Sequence, residues 1–234
     1  MPAHPTDPQS GASSWLQSRW ARALPRDELQ AVAGDVWERS FPAGATVATK
    51  GQAADHWMGV LEGMVKVDTN RADGRSTTFI GVSSGGWLGE GAVLKGERRP
   101  YDVVALQDSR IAFLPRASFL WLYEHSLAFN HFLITQLNAR LAQFIVSVER
   151  SRIHTTAEQI AFGLASLLDP VLNPEAGCRV RISHEELGKL CGVSRQVAAK
   201  GLHTLAQQGL IRLEYGVIEV RDSTALRSAA GLAG

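Results

Sequence analysis

The stretch ISHEELGKLCGVSRQVAAKGLHTLAQQGLI, Ile182 to Ile211, carries its apolar residues at the spacing that two packed helices require. Leu187, Leu190, Val193, Val197, Leu202 and Leu205 follow mostly at three- and four-residue steps. Ser183 with Glu186 three residues on makes a capping box that starts the first helix. Gly192 ends it, since glycine takes the left-handed turn conformation without a Cβ clash. Ser194 caps a second helix that begins Arg195, Gln196 and continues to Lys200. Arginine, glutamine and lysine thus occupy the first turns of a helix whose other side is apolar. That is the layout of a recognition helix entering a DNA major groove.

Working outward, LIRLEYGVIEVRD (Leu210 to Asp222) alternates and turns at Gly216, as a β-hairpin wing does. Upstream, Thr155 and Glu158 form another capping box ahead of a helix with Ile160, Phe162, Leu164, Leu167 and Leu168. The loop from Asp169 to Gly177 ends that helix. Earlier still, Ser126 caps a long helix reaching about Arg152. In it Leu137, Leu141, Phe144, Val148 and Ser151 recur at steps of four and three, a heptad seam suited to a dimer. Ile145 and Phe132 broaden the apolar surface, which favours pairing of two copies over packing on the chain's own remainder.

From Val36 to Pro115 the pattern is all-β, with glycines at 44, 51, 63, 74, 85 and 86 marking turns. Between them lie WMGVL (57–61), MVKV (64–67), TTFIGV (77–82), DVVAL (102–106) and RIAFL (110–114). Asp73-Gly74 is a hairpin turn signal. Phe119, Leu120, Leu122 and Tyr123 predict a short helix after the strands. Trp15, Leu16, Trp20 and Leu24 predict an amphipathic helix packed on the outside of them.

The 234 residues, 45% hydrophobic, suffice for two small domains. The formal charge of +1 decides nothing about nucleic acid, but between Arg179 and Lys200 five basic residues face two acidic ones. Two cysteines, Cys178 and Cys191, make neither a disulfide framework nor a metal site and fit a reducing cytoplasm. No apolar run reaches the roughly 18 residues of a membrane span, and the first residues lack the pattern of a signal peptide.

In this layout the sequence resembles the cyclic AMP receptor protein and FNR (CRP/FNR) family of bacterial regulators from Val36 to Asp222. FPAGATVATKGQAADHWMGVLEGMVKV (41–67), WLGEGAVL (87–94) and the helix-turn-helix carry the resemblance. It implies an α+β chain with an N-terminal β-roll, a double-stranded β-helix of the cyclic-nucleotide-binding type. A long dimerisation helix and a C-terminal winged helix-turn-helix complete it. The expected division is a flexible N-terminus (1–14), sensor roll (15–125), dimerisation helix (126–152), DNA-binding domain (153–225) and tail (226–234). The implied function is transcription regulation by a homodimer on a near-palindromic operator in double-stranded DNA, with RNA polymerase as a further partner. Arg195, Gln196 and Lys200 are the expected base contacts, Ser183, Ser194 and His203 the expected phosphate contacts, and Leu137, Leu141, Phe144 and Val148 the expected dimer interface. The two serines have a competing role as helix caps. Gln196 stands where glutamate is common, and Lys200 where arginine is common, so the base preference is expected to differ.

Glu90, Arg98 and Arg99 are the expected effector residues, because the family places a Gly-Glu turn on the ribose and an Arg-Ser pair on the cyclic phosphate. Gly89 and Glu90 match the turn. Pro100, however, stands where serine or threonine is expected and offers no N–H. Phe144 and Ile145 replace the pair that would meet adenine. The effector is therefore open, with cyclic AMP not expected and another small anion or nucleotide in view; the alternatives are a regulator of this type that needs no effector, and Arg98 and Arg99 as a solvated loop with Lys95 and Glu97. With no cysteine before Cys178, an iron–sulfur cluster of the FNR kind is excluded. His56, His125, His131, Met58 and Met64 leave haem without a clear site. A cupin-like metalloenzyme, the competing class, needs converging ligands, and His56 is the only histidine between Val36 and Pro115. No catalytic or metal-ligating residue is expected.

Overall fold

A computed structural model describes residues 14–70, 76–153 and 155–232. The Asp73-Gly74 turn and most of the expected flexible N-terminus lie outside the described residues.

Eight strands build a roll of two antiparallel four-stranded sheets. They are β1 (Trp37–Phe41), β2 (Thr46–Ala48), β3 (His56–Glu62), β4 (Met64–Asn70), β5 (Ser76–Ser83), β6 (Trp87–Leu88), β7 (Asp102–Ala105) and β8 (Ser109–Pro115). The sheet orders are β1-β8-β3-β6 and β2-β7-β4-β5. Successive side chains on a strand point to opposite faces, and β3 and β8 bury both. Met58, Val60, Ile111 and Phe113 face the roll interior with Val65, Val82 and Val103. Trp57, Ala112 and Leu114 face outward into a second cluster.

That second cluster takes in the N-terminal segment, which packs on the outside of the strands as expected but with less helix. Residues 14–17 form a 3-10 turn, and α1 (Arg19–Ala23) is only a short helix. They lie on the outer face of the sheet, where Trp20 is completely buried and meets Trp57 and Trp87 at ring separations of 5.6 and 5.3 Å. Trp15 stacks on Trp20, and Phe129 closes the group edge-on. Indoles bury large apolar areas, and truncating a buried one to alanine costs about 3–5 kcal/mol. The helix α2 (Arg26–Ala33) precedes the strands, α3 (Glu90–Lys95) interrupts the expected all-β pattern, and α4 (Arg116–His125) follows the strands as expected.

The long helix α5 (Leu127–Ile153) begins where Ser126 Oγ accepts the Phe129 N–H. Its first turns are core, with Phe129 and Leu133 buried and Gln136 Nε2 donating to the Trp87 carbonyl at 2.9 Å. Phe132, expected to widen a dimer seam, instead packs partly buried on this cluster. Beyond it Leu137, Leu141, Phe144, Ile145 and Val148 are all exposed, Leu141 by 58%.

The C-terminal part comprises α6 (Thr156–Leu167), β9 (Arg179–Val180), α7 (His184–Cys191), α8 (Arg195–Gln207), β10 (Ile211–Glu214), β11 (Val217–Val220) and α9 (Ser223–Ala229). Thr155 and Glu158 form the expected reciprocal capping box. At α7 only half of the expected box exists: Ser183 Oγ accepts the Glu186 N–H at 3.1 Å, but the Glu186 carboxylate turns to Lys66 and Lys189. An ammonium partner on the roll outcompetes a backbone amide for the carboxylate. Lys66 Nζ lies 2.9 Å from Glu186 and 3.3 Å from Asp68, so one nearly buried cation joins β4 to α7. Leu167 and Leu190 pack on β5 at Gly81, and Asn173 Oδ1 accepts the Ser83 N–H at 2.9 Å.

Candidate nucleic-acid interface and roll cavity

The helix-turn-helix is held by close backbone approach. Gly192 ends α7 at φ +69°, and a Cβ at Gly201 would stand 2.7 Å from Ile160, so α8 lies hard against α6. Ala198, Gly201, Leu202 and Leu205 are buried on that side. The opposite side leaves Gln196, Lys200, His203 and Gln207 exposed at steps of four, three and four, one stripe along the helix with Arg195 beside its start. The helix runs two turns beyond Lys200, where the sequence reading stopped, and Gln207 Nε2 lies 3.1 Å from His203 Nε2.

Ser183 and Ser194 are exposed, and both hydroxyls accept backbone N–H groups as helix caps. β10 and β11 form the wing with β9 as a third strand. Tyr215, which sequence reading missed, is fully exposed at its tip beside Gly216. An aromatic residue in a two-residue hairpin turn was the available signal. The Cys191 thiol, desolvated against α6, is pushed up to about 12, so it stays protonated at neutral pH.

At the roll, a cavity of about 310 Å³ has a mostly apolar wall that includes Val67, Phe79, Ile80, Leu88, Pro100 and Phe144. Gly89, Glu90, Tyr101 and Arg140 complete it. Gly89 at φ +96° starts α3 and presents Glu90, only 6% exposed, with Oε2 lacking a hydrogen-bond partner among the described residues. Burial pushes the Tyr101 phenol up, aided by Glu90 and opposed by Arg99 and Arg140. Arg140 donates to the Trp87 carbonyl at 3.1 Å.

Of the three expected effector residues only Glu90 lines this cavity. Arg98 is exposed and donates to the Gly51 carbonyl at 2.7 Å. Arg99 is buried and donates through Nη2 to the His56 carbonyl at 2.6 Å, with Nη1 beside the Gly89 turn rather than in the cavity wall. A cyclic phosphate in this cavity would meet Pro100, which has no N–H to offer. Tyr101 and Arg140 were not anticipated; Arg140 sits one turn before Phe144 on the exposed seam, a spacing that could have marked it.

The fold and these two sites define a class: a DNA-binding regulator in which a ligand-cavity roll is joined by a long helix to a winged helix-turn-helix. Residues 38–126 match the cyclic nucleotide-binding domain and residues 139–229 the Crp-like helix-turn-helix domain. The chain is 30% identical over 195 residues to the transcriptional regulator SdrP of Thermus thermophilus, covering 82% of this chain and 93% of that protein. It is 29% identical over 196 residues to the cyclic AMP receptor protein of the same organism, covering 83% and 89%. A solved CRP/FNR-family transcriptional regulator, also from Thermus thermophilus, is 27% identical, covers 85% of this chain and all of its own, and superposes with a TM-score of 0.58. The chain belongs to the CRP/FNR family of transcription regulators. Among the described residues no group of three or more histidine, cysteine, aspartate or glutamate side chains is placed to hold a metal ion, and no helix is long and apolar enough to cross a membrane.

Proposed function

We propose that the chain works as a homodimer on a near-palindromic operator in double-stranded DNA. In this reading Arg195, Gln196 and Lys200 read base edges, Ser183, Ser194 and His203 approach phosphates, and residues 153–225 act as the DNA-binding unit. The exposed stripe on α8 carries the reading. A helix buried on one side and left polar and cationic on the other, flanked by a wing, has the shape and charge of a major-groove reader. Arg195 suits guanine through two parallel hydrogen bonds, Gln196 suits adenine, and Lys200 offers a single charge. Leu137, Leu141, Phe144 and Val148 support pairing of two α5 helices, since an exposed apolar stripe of this length is otherwise unfavourable in water. RNA polymerase is the proposed further partner and the cytoplasm the proposed setting. No residue is assigned a catalytic role.

The roll (15–125) is proposed to sense a small molecule through the Glu90 cavity. Glu90 Oε2 supplies one buried acceptor, and the apolar wall favours a ligand without a cyclic phosphate, so cyclic AMP is not the proposed effector. Selection of bound sequences from a random duplex library tests the output. The expected result is an inverted repeat with half-sites about one helical turn apart and affinity that falls steeply with salt. Enrichment of no repeat, with salt-insensitive binding, overturns the assignment.

A further inference from the structure

The roll holds a second cavity of about 300 Å³, lined in part by Met58, which also reaches the Gly89 turn of the Glu90 cavity. Its wall includes Trp37, Phe41, Met58, Arg99 and Phe113, with Asp55 at the mouth. Trp37 and Phe113 stack with centroids 4.1 Å apart and planes 10° from parallel, and His56 meets Trp37 edge-on at 5.4 Å. Arg99 is 5% exposed, and its Nη1 has no hydrogen-bond acceptor among the described residues. A guanidinium taken out of water with part of its donor set unmet is an unfavourable arrangement that a bound anion relieves. Burial accordingly pulls Arg99 below its ordinary value, with Tyr101 and Asp55 acting the other way.

We propose that this cavity is a second ligand site and that it takes a small aromatic monocarboxylate. The Arg99 guanidinium supplies the donors for the carboxylate, and the Trp37–Phe113 stack supplies a flat wall for the ring. The class of anion follows from the surroundings. Nη2 is already committed to the His56 carbonyl, which leaves Nη1 as the unmet donor, and the Asp55 carboxylate disfavours a dianion such as a phosphate monoester. The planar wall favours an aromatic body over an aliphatic one. Arg99 also touches the turn of the other cavity, since a Cβ at Gly89 would stand 3.0 Å from Nη1. The site is independent of how the chain reads DNA.

Calorimetric titration of the full chain with benzoate, phenylacetate, salicylate and indole-3-acetate tests the site, with benzyl alcohol and inorganic phosphate as contrasts. The expected result is saturable binding of at least one acid at one molecule per chain. The contrasts should bind at least ten times more weakly, and nuclear Overhauser contacts should run from the ligand ring to Trp37 and Phe113. Arg99→Met should lower affinity at least tenfold and Arg99→Lys less. If Arg99→Met does not fold, Trp37→Leu should give a comparable loss. No saturable binding by any of the four acids overturns the proposal. So does phosphate binding equal to theirs, or ring contacts to Phe79 and Phe144, which would put the ligand in the other cavity.

Discussion

The recognition helix and the Glu90 cavity are built on opposite principles. On α8, Gln196, Lys200, His203 and Gln207 are neighbours because the helix repeat makes them so, and the Ser194 cap and Gly192 turn fix where the repeat begins. The cavity draws Val67, Phe79, Glu90, Tyr101 and Phe144 from β4, β5, α3, the loop before β7, and α5. No local rule connects them. Substitution at one α8 position therefore changes one contact, whereas substitution in the cavity perturbs several packed elements. The output end can diverge by single residues, as Gln196 and Lys200 suggest, while the input end diverges through its loop, as Pro100 suggests.

The strongest way to break this contrast is through the helix that belongs to both regions. Phe144 lines the cavity, and Leu141 continues its exposed stripe one turn earlier. Leu141→Glu should weaken self-association by roughly 3 kcal/mol or more, about a hundredfold in Kd, because each copy loses an apolar contact and buries a charge. Sedimentation equilibrium measures it, and an unchanged dimer would remove α5 as the interface. Operator affinity should fall with it, since two half-sites are then no longer bound together.

At the output end, Arg195→Ala should cost roughly 1–3 kcal/mol of discrimination between operator and scrambled duplex while leaving the dimer intact. Competition anisotropy at fixed salt reads this directly, and full retention of specificity would sink the base-reading role. The contact between the two regions should show itself in pH. Burial pushes the Glu186 carboxyl up, yet hydrogen bonds from Lys66 and Lys189 outweigh it and hold the group below its ordinary 4.5. A depressed carboxylate stabilises the fold above its unfolded pKa and loses that contribution as pH falls through the folded value. Melting of the native chain should therefore drop below about pH 4.5 more steeply than that of Glu186→Gln. Equal slopes would mean that the bridge from β4 to α7 contributes nothing.

How much of this was legible in the sequence follows the same division. The caps, the Gly192 turn, the α8 stripe and the wing are local patterns, and each stands where its residues predict, except the Glu186 half of the α7 box, which Lys66 on the roll draws away. Trp15 and Trp20 show the limit: their spacing predicts an apolar face on the strands, but that Trp57, Trp87 and Phe129 enclose Trp20 completely is set by the tertiary fold. Arg99 shows it again. Its place in the chain suggests an effector contact, but its direction is set by the His56 carbonyl on a strand far away in sequence, which no spacing records.

The smallest effect is also the most discriminating at the DNA interface. Ser194 Oγ accepts the Val197 N–H at 3.3 Å, a cap whose loss in Ser194→Ala should lower stability by about 1 kcal/mol. A hydroxyl that accepts one backbone hydrogen still has its own to donate, so the same side chain is able to reach a phosphate oxygen. A neutral donor neutralises no phosphate charge, however, and releases no counterion. If Ser194 touches the backbone of the operator, Ser194→Ala should weaken binding to specific and scrambled duplexes alike, with the slope of log affinity against log salt unchanged. Arg195→Ala, by contrast, should spare scrambled duplex more than operator. Unchanged affinity for both duplexes in Ser194→Ala, with the stability loss present, would leave Ser194 as a cap alone and confine the interface to the stripe that begins at Arg195.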